Sequence, residues 1–231
     1  MKGKKLYSPN MKIIICTQGS VGISIIRKLF ELRFKPCDIT IITYDINESN
    51  NRLFISYLDF LNIEWFETGK DMNKLADIIL LKNASVLLSV SYKYIFKSPV
   101  LDLPNVTLIN LHPGRLPDYR GCFLIPWAII NDEASVEYTY HLINEVIDGG
   151  DIILRERFPV FPSSTAFDLH FKVMNSAINS LEYVFFSNWQ AYPQIGEGRY
   201  YKNIFPTIDP LWDNHKIDRF KRATYFPPYH E

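Results

Sequence analysis

Short runs of β-branched apolar residues are the feature that most constrains the fold of this chain. Residues 12–17 read KIIICT and residues 39–43 read ITIIT, so each run is apolar on both faces of a strand. Such runs are typical of a parallel sheet that helices cover on both sides. Further strands are predicted at 63–67, 86–90 and 106–111, with helices at 23–32, 51–61 and 71–81 between them. The repeated βα order predicts an α/β fold with a Rossmann-like, open, mostly parallel twisted sheet.

The pattern changes after residue 111. Residues 136–142 and 152–158 are predicted to form two strands around the turn Asp148-Gly149-Gly150, and residues 165–186 one long helix that Thr165 caps. The last forty or so residues are rich in Pro, Tyr and Trp and are too few for a core of their own. We therefore expect an N-terminal tail (1–10), a main domain (11–188) and a short C-terminal appendage (189–231).

Composition excludes several classes of protein. Lys and Arg number 25, and so do Asp and Glu, so the net charge is zero. This balance argues against nucleic acid or a membrane surface as partner. The three cysteines are far apart in the sequence, which predicts neither a disulfide framework nor a zinc site. We expect a cytoplasmic protein without a metal.

A glycine turn at residues 19–22 follows the first strand and opens a helix. It is either a tight βα turn or a place where backbone amides meet an anion. The complete G-x-G-x-x-G pattern is missing, so a dinucleotide fold is not supported.

Candidate reactive side chains lie at the end of the strand predicted at 106–111. Asn110 and His112 alternate there, so their side chains point the same way, at the edge of the sheet where open α/β proteins bind ligands. Asp148 lies in the glycine-rich turn between two later strands. On these residues alone, His112 and Asp148 are either reactive groups or a buried structural ion pair.

The segment 108–153 resembles the core of the folate-dependent formyltransferases. The residues that match the pattern of this family are Asn110, His112, Pro113, Leu116, Pro117, Gly121, Asp148 and Gly149. The resemblance covers residues 11–187. It implies transfer of a formyl group from N10-formyltetrahydrofolate to an amine.

The resemblance also implies roles for individual residues. Asn110 and a protonated His112 would bind the formyl oxygen as negative charge develops on it, and Asp148 would keep His112 charged and help a water move protons. Backbone groups around two loops would bind the folate. The residues expected there are Tyr92, Lys93, Tyr94, Ile95, Phe96, His141, Val146 and Ile147.

Among the branches of the family, the nucleotide-sugar N-formyltransferases are the most similar. The sequence Tyr119-Arg120-Gly121-Cys122 and the ending at 217–229 carry this likeness. The expected acceptor is dTDP-4-amino-4,6-dideoxyglucose. A dTDP-3-amino-3,6-dideoxy sugar, GDP-perosamine and glycinamide ribonucleotide are the alternative acceptors, and a non-catalytic folate or nucleotide sensor is the alternative from another class.

Two regions are predicted to contact the sugar nucleotide. One is the polar segment 44–51, which could equally be a plain surface loop; the other is the aromatic-rich appendage, where Tyr200, Tyr201 and Phe226 are further candidates for stacking on the base. The expected contacts are Tyr44, Ser49, Asn50, Asn51, Arg120, Tyr225 and Tyr229. The resemblance implies that the appendage (189–231), which follows the catalytic domain (11–188), is a small C-terminal β-hairpin that pairs with a second subunit. Its aromatic density suggests either this homodimer interface or a wall on which the base stacks.

Overall fold

A computed structural model describes residues 11–186, 190–205 and 207–226 of the chain. The predicted tail, residues 1–10, lies outside the described residues, as does Tyr229. Within them, no helix combines the length and the apolarity needed to cross a membrane.

A seven-stranded sheet forms the centre of the molecule. Its strands are β1 (Ile13–Cys16), β2 (Ile39–Thr43), β3 (Glu64–Glu67), β4 (Val86–Val90), β5 (Thr107–His112), β7 (Ser135–Leu142) and β8 (Ile152–Pro159). Their spatial order is β3-β2-β1-β4-β5-β7-β8. The first five strands run parallel to one another, β7 runs antiparallel to β5, and β8 runs antiparallel to β7 and so in the direction of the first five. This confirms the predicted mostly parallel α/β sheet.

Helices cover both faces of the sheet. They are α1 (Gly19–Glu31), α2 (Ser49–Phe60), α3 (Met72–Leu81), α4 (Leu124–Ile130), α5 (Ala166–Asn179), α6 (Leu181–Phe186) and α7 (Asn214–Thr224). Side chains alternate along β1: Ile13 and Ile15 join the core that contains α1 and α5, whereas Ile14 and Cys16 join the core that contains α3. This double burial is the reason that the strand sequences are continuously apolar.

Two helical predictions needed correction. The single helix expected at 165–186 is two helices, which end and begin on either side of Ser180. The Ser180 hydroxyl donates to the Ala177 carbonyl and accepts from the Tyr138 hydroxyl at this break. Thr165 does cap α5, accepting from the Asp168 amide at 3.1 Å. The short helix α4 was not predicted, and Pro126 lies inside its apolar sequence. The proline is tolerated there because it falls in the first turn of the helix.

The appendage does not form the expected β-hairpin in the part that is described. Its short strand β9 (Tyr200–Tyr201) pairs in parallel with β6 (Arg120–Gly121) of the main domain. Helix α7 packs against α4, and the Arg219 side chain donates to the Ile130 carbonyl at 3.2 Å. The appendage is thus built onto the main domain instead of folding as a local pair of strands.

Candidate active site

A cavity of about 430 Å³ opens at the carboxyl ends of β4 and β5. Its walls include all the predicted catalytic residues (Asn110, His112 and Asp148) and all the residues predicted to bind folate (92–96, His141, Val146 and Ile147). The carboxyl edge of a parallel sheet is where such open folds place ligands. The structure therefore brings the two predicted groups of residues together at one site.

His112 ends β5 and is almost completely buried. Its Nε2 donates to the Tyr119 carbonyl at 2.7 Å, and because a carbonyl can only accept, Nε2 carries a hydrogen. Its Nδ1 lies 3.4 Å from Asp148 Oδ1. Nδ1 is therefore the nitrogen that faces the carboxylate.

Asn110 lies two residues earlier on β5 and contacts His141 on the antiparallel neighbour β7. The Nδ1 of His141 donates to the Leu142 carbonyl at 2.7 Å, so its Nε2 accepts from Asn110 Nδ2 at 3.1 Å. An amide nitrogen has two hydrogens, so Asn110 keeps one donor for a ligand in the cavity.

Asp148 has left-handed backbone geometry, with φ of 51°. Its Oδ2 accepts from the Gly121 amide at 2.9 Å, and its Oδ1 lies 3.6 Å from His141 Nε2. The carboxylate therefore bridges the ends of β5, β6 and β7.

Burial and the close contacts between His112, His141 and Asp148 shift the pKa values in this cluster. Burial, the largest effect, lowers the pKa of His112 and outweighs the opposite effect of Asp148, so the imidazole is neutral at neutral pH. Burial alone would raise the pKa of Asp148, but His112, His141 and the Gly121 amide bring it below its ordinary value. Asp148 is therefore ionised at neutral pH, and burial favours the neutral form of His112 although Asp148 favours its charged form.

The opposite wall of the cavity is apolar and open. Ile95 and Val146 are exposed by 53% and 55%, although both are large hydrophobic residues. The Tyr92 and Phe96 rings stack beside them, with centroids 5.5 Å apart. A flat ring system bound here would cover apolar surface that water now contacts.

Most of the predicted substrate contacts are not on this wall. Tyr44 is buried and its hydroxyl donates to the Ser91 carbonyl at 2.6 Å. Asn51 is also buried, and its amide bonds the Tyr44 carbonyl and the Gly19 amide. In this structure, the polar groups of both side chains hold the loop between β2 and α2. Ser49 and Asn50 are exposed at the start of α2.

The remaining predicted contacts belong to the appendage or to its junction with the domain. Arg120 donates to the Gln194 side chain at 2.7 Å, and the Tyr225 carbonyl accepts from the Phe167 amide, beside α5. Neither Arg120 nor Tyr225 lines the cavity, whereas Tyr200, one of the stacking candidates, does.

Sequence reasoning missed Asn203, which also lines the cavity. It belongs to the appendage, and a polar residue in an irregular segment carries no local signal of its role. Among residues 11–186, 190–205 and 207–226, no group of three or more His, Cys, Asp or Glu side chains is arranged to hold a metal ion.

An amide donor, a histidine and an ionised aspartate beside an apolar wall at the carboxyl edge of the sheet define an enzyme site for group transfer. The formyl transferase family profile matches residues 46–183, more than half of the chain. The protein belongs to this family, which confirms the resemblance that its motifs show.

Full-length similarity extends beyond the family domain. The chain is 30% identical to the GDP-perosamine N-formyltransferase of Brucella melitensis over 228 residues, which cover 96% of this chain and 88% of the relative. The N-formyltransferase of Helicobacter canadensis, solved in complex with folinic acid and dTDP-3-aminofucose, superposes with a TM-score of 0.77 at 22% identity and covers 95% of this chain and 82% of that one. A 4-N formyltransferase from Francisella tularensis superposes with a TM-score of 0.73 at 22% identity, covering 96% and 91% of the two chains. These two structures share the fold of this chain.

Proposed function

We propose that this protein transfers a formyl group from N10-formyltetrahydrofolate to the amine of a nucleotide-linked amino sugar. The observation that carries the proposal is the cavity itself, where Asn110, His112 and Asp148 meet an apolar wall. The open Ile95 and Val146 side chains fit the ring system of folate. The similarity to a sugar N-formyltransferase over 96% of the chain supports the class of acceptor.

The chemistry follows from the protonation states. When the amine attacks the formyl carbon, the new C–N bond forms and negative charge develops on the formyl oxygen, where the free N–H of Asn110 donates. The amine must also lose a proton. His112 Nδ1 is a neutral acceptor 3.4 Å from the ionised Asp148, so a proton that reaches this pair, directly or through a water, is stabilised. The same proton then goes to N10 as the bond between N10 and the formyl carbon breaks.

Two nucleotide sugars are the main candidates for the substrate that receives the formyl group. The sequence favours dTDP-4-amino-4,6-dideoxyglucose, whereas the Brucella melitensis relative is named for GDP-perosamine. The test incubates the purified protein with N10-formyltetrahydrofolate and each candidate acceptor separately, including a dTDP-3-amino-3,6-dideoxy sugar and glycinamide ribonucleotide. Tetrahydrofolate is followed by absorbance and the formylated product by mass spectrometry.

We expect one nucleotide sugar to be formylated with the highest kcat/KM. Formylation of glycinamide ribonucleotide alone would overturn the acceptor class. Binding of folate without turnover of any acceptor would favour the alternative of a sensor.

We also propose a homodimer that forms through the appendage, in the cytoplasm. The support is the apolar surface of this segment, where Ile195 and Leu211 are exposed by 89% and 92%. Leu211→Asp should convert a dimer to a monomer, as measured by light scattering. Leu81→Asp, at an exposed position at the end of α3, should leave the molar mass unchanged. A monomeric unmodified protein would contradict the proposal.

A further inference from the structure

Gln194 of the appendage contacts the backbone on both sides of the glycine at the Asp148 turn. Its Nε2 donates to the carbonyls of Asp148 and Gly150, each at 2.8 Å. Its Oε1 accepts from Arg120 Nη2 at 2.7 Å. One side chain thus joins the Asp148 turn to β6, although more than forty residues separate it from that turn.

The Asp148 turn needs such support. Asp148 is in the left-handed region, which a residue with a side chain enters only at a cost in free energy. Gly150 packs so closely that a Cβ there would lie 1.9 Å from the Leu142 carbonyl oxygen. The direction of the Asp148 carboxylate therefore depends on what holds these few backbone atoms.

Strand β6 connects the same region to the reacting groups. The carbonyl of Tyr119 accepts from His112, and the amide of Gly121 donates to Asp148. Between them, the amide of Arg120 donates to the Arg199 carbonyl of the appendage at 2.9 Å. The backbone of segment 119–121 therefore holds both His112 and Asp148. The guanidinium of Arg120, in the same segment, holds Gln194.

We infer that Gln194 is a positioning residue that fixes the carboxylate of Asp148 against His112 and the Gly121 amide, so that the appendage completes the active site. This inference rests on the proposed function for its kinetic readout only. The competing explanation is that Gln194 merely fastens the appendage to the domain.

The most informative substitution is Gln194→Glu. It keeps the size of the side chain and an acceptor for Arg120, but it presents oxygen instead of N–H to the two carbonyls. We expect kcat to fall about tenfold or more with KM for the acceptor within about twofold, because small displacements of a reacting group lower the chemical step. Gln194→Ala should behave similarly. The control is Glu197→Gln, at a nearby exposed position of the same segment, which should keep kcat and KM unchanged.

A second measurement needs no substrate. Hydrogen exchange of single amides, followed by NMR in the free protein, compares Gly121 with Cys122. The Gly121 amide donates to Asp148, whereas the Cys122 amide donates to the Tyr201 carbonyl across the β6–β9 pair. We expect Gln194→Glu to speed exchange at Gly121 and to leave Cys122 unchanged.

The two measurements separate the outcomes. Equal acceleration at Gly121 and Cys122, with a lower Tm, would show fastening of the appendage and overturn the inference. Unchanged kcat and unchanged exchange in Gln194→Glu would also overturn it. If the unmodified protein formylates no acceptor but Gly121 alone responds, the positioning role stands and the proposed function fails.

Discussion

Two backbone carbonyls decide where protons can be placed in the active site. Tyr119 and Leu142 accept from His112 Nε2 and His141 Nδ1, so the remaining ring nitrogens, both acceptors, lie 3.4 and 3.6 Å from Asp148 Oδ1. His112 Nδ1 and the Asp148 carboxylate thus face one another across 3.4 Å. In the proposed reaction, this pair would take up a proton from the attacking amine.

Replacing this carboxylate by an amide should weaken the site's capacity to accept a proton, because the negative charge beside His112 Nδ1 is lost. Asn has nearly the same shape and tolerates left-handed geometry, so Asp148→Asn should keep the fold. We expect kcat/KM to fall by about 10² or more, because both proton transfer and charge stabilisation are lost. Steady-state kinetics with the best acceptor measure this effect.

The matched control is Asp151→Asn, at an exposed position just beyond the same turn. It should retain the kcat/KM of the unmodified protein. Comparable turnover in Asp148→Asn and Asp151→Asn would contradict the role of Asp148.

The role of a single residue could be predicted where the neighbouring sequence carries a pattern that indicates it. Asn110 and His112 could be predicted because they alternate at the end of an apolar strand, and Asp148 because its turn matches a known pattern. Tyr44 and Asn51 were predicted to contact the substrate because their segment follows the second strand at the carboxyl edge of the sheet. Their inward direction follows from the need of the buried Gly19 amide and Tyr44 carbonyl for partners, which the sequence does not display.

At the scale of elements, the appendage differs most from its prediction. The family resemblance implied a hairpin there, but strand β9 belongs to no hairpin in the described residues, and Tyr201 stacks on Tyr119 of the main domain at 5.0 Å between centroids. Helix α7 begins at a genuine local signal, since Asp213 caps it by accepting from the Lys216 amide at 2.7 Å. The pairing of β9 with β6, by contrast, joins segments about eighty residues apart and has no local signature.

The β6–β9 pair can be tested at Gly121. Its φ is 96°, and a Cβ there would lie 2.0 Å from the Tyr201 carbonyl oxygen. Gly121→Ala should therefore lower the free energy of unfolding by about 2 kcal/mol or more and reduce activity, since the Gly121 amide also holds Asp148. Urea unfolding and steady-state kinetics measure the two effects.

Gly69→Ala separates the collision from the backbone conformation. Gly69 also has positive φ, at 56°, but a Cβ there would meet nothing within 4 Å. This variant should lose only about 1 kcal/mol, the ordinary cost of left-handed geometry. Equal losses in the two variants would show that β9 does not press on β6.

At the scale of the whole molecule, the fold could be predicted where the alternation of strands and helices repeats along the chain. Alternating strands and helices gave the parallel sheet, because each βα unit buries its own apolar run and the strand order follows from short connections.

Burial also sets how the stability of the molecule responds to acid. His112 lies in the active site and His170 on α5 beside Phe226, and burial lowers the pKa of both.

The free energy of unfolding should therefore decrease as the pH falls below about 6.5, the ordinary pKa of histidine. In that range the unfolded chain binds protons at His112 and His170 that the folded protein does not, so protons favour unfolding, by at most about 1.4 kcal/mol per pH unit for each histidine. Below about pH 4 the loss should continue, because Asp148 has a lowered pKa when folded and stabilises the fold only while ionised. Urea unfolding between pH 8 and 5 measures the first range. His170→Asn should reduce the slope of the unfolding free energy against pH by the contribution of His170. A free energy that stays constant or rises from pH 7 to pH 5 would mean that these imidazoles are not held neutral by the fold.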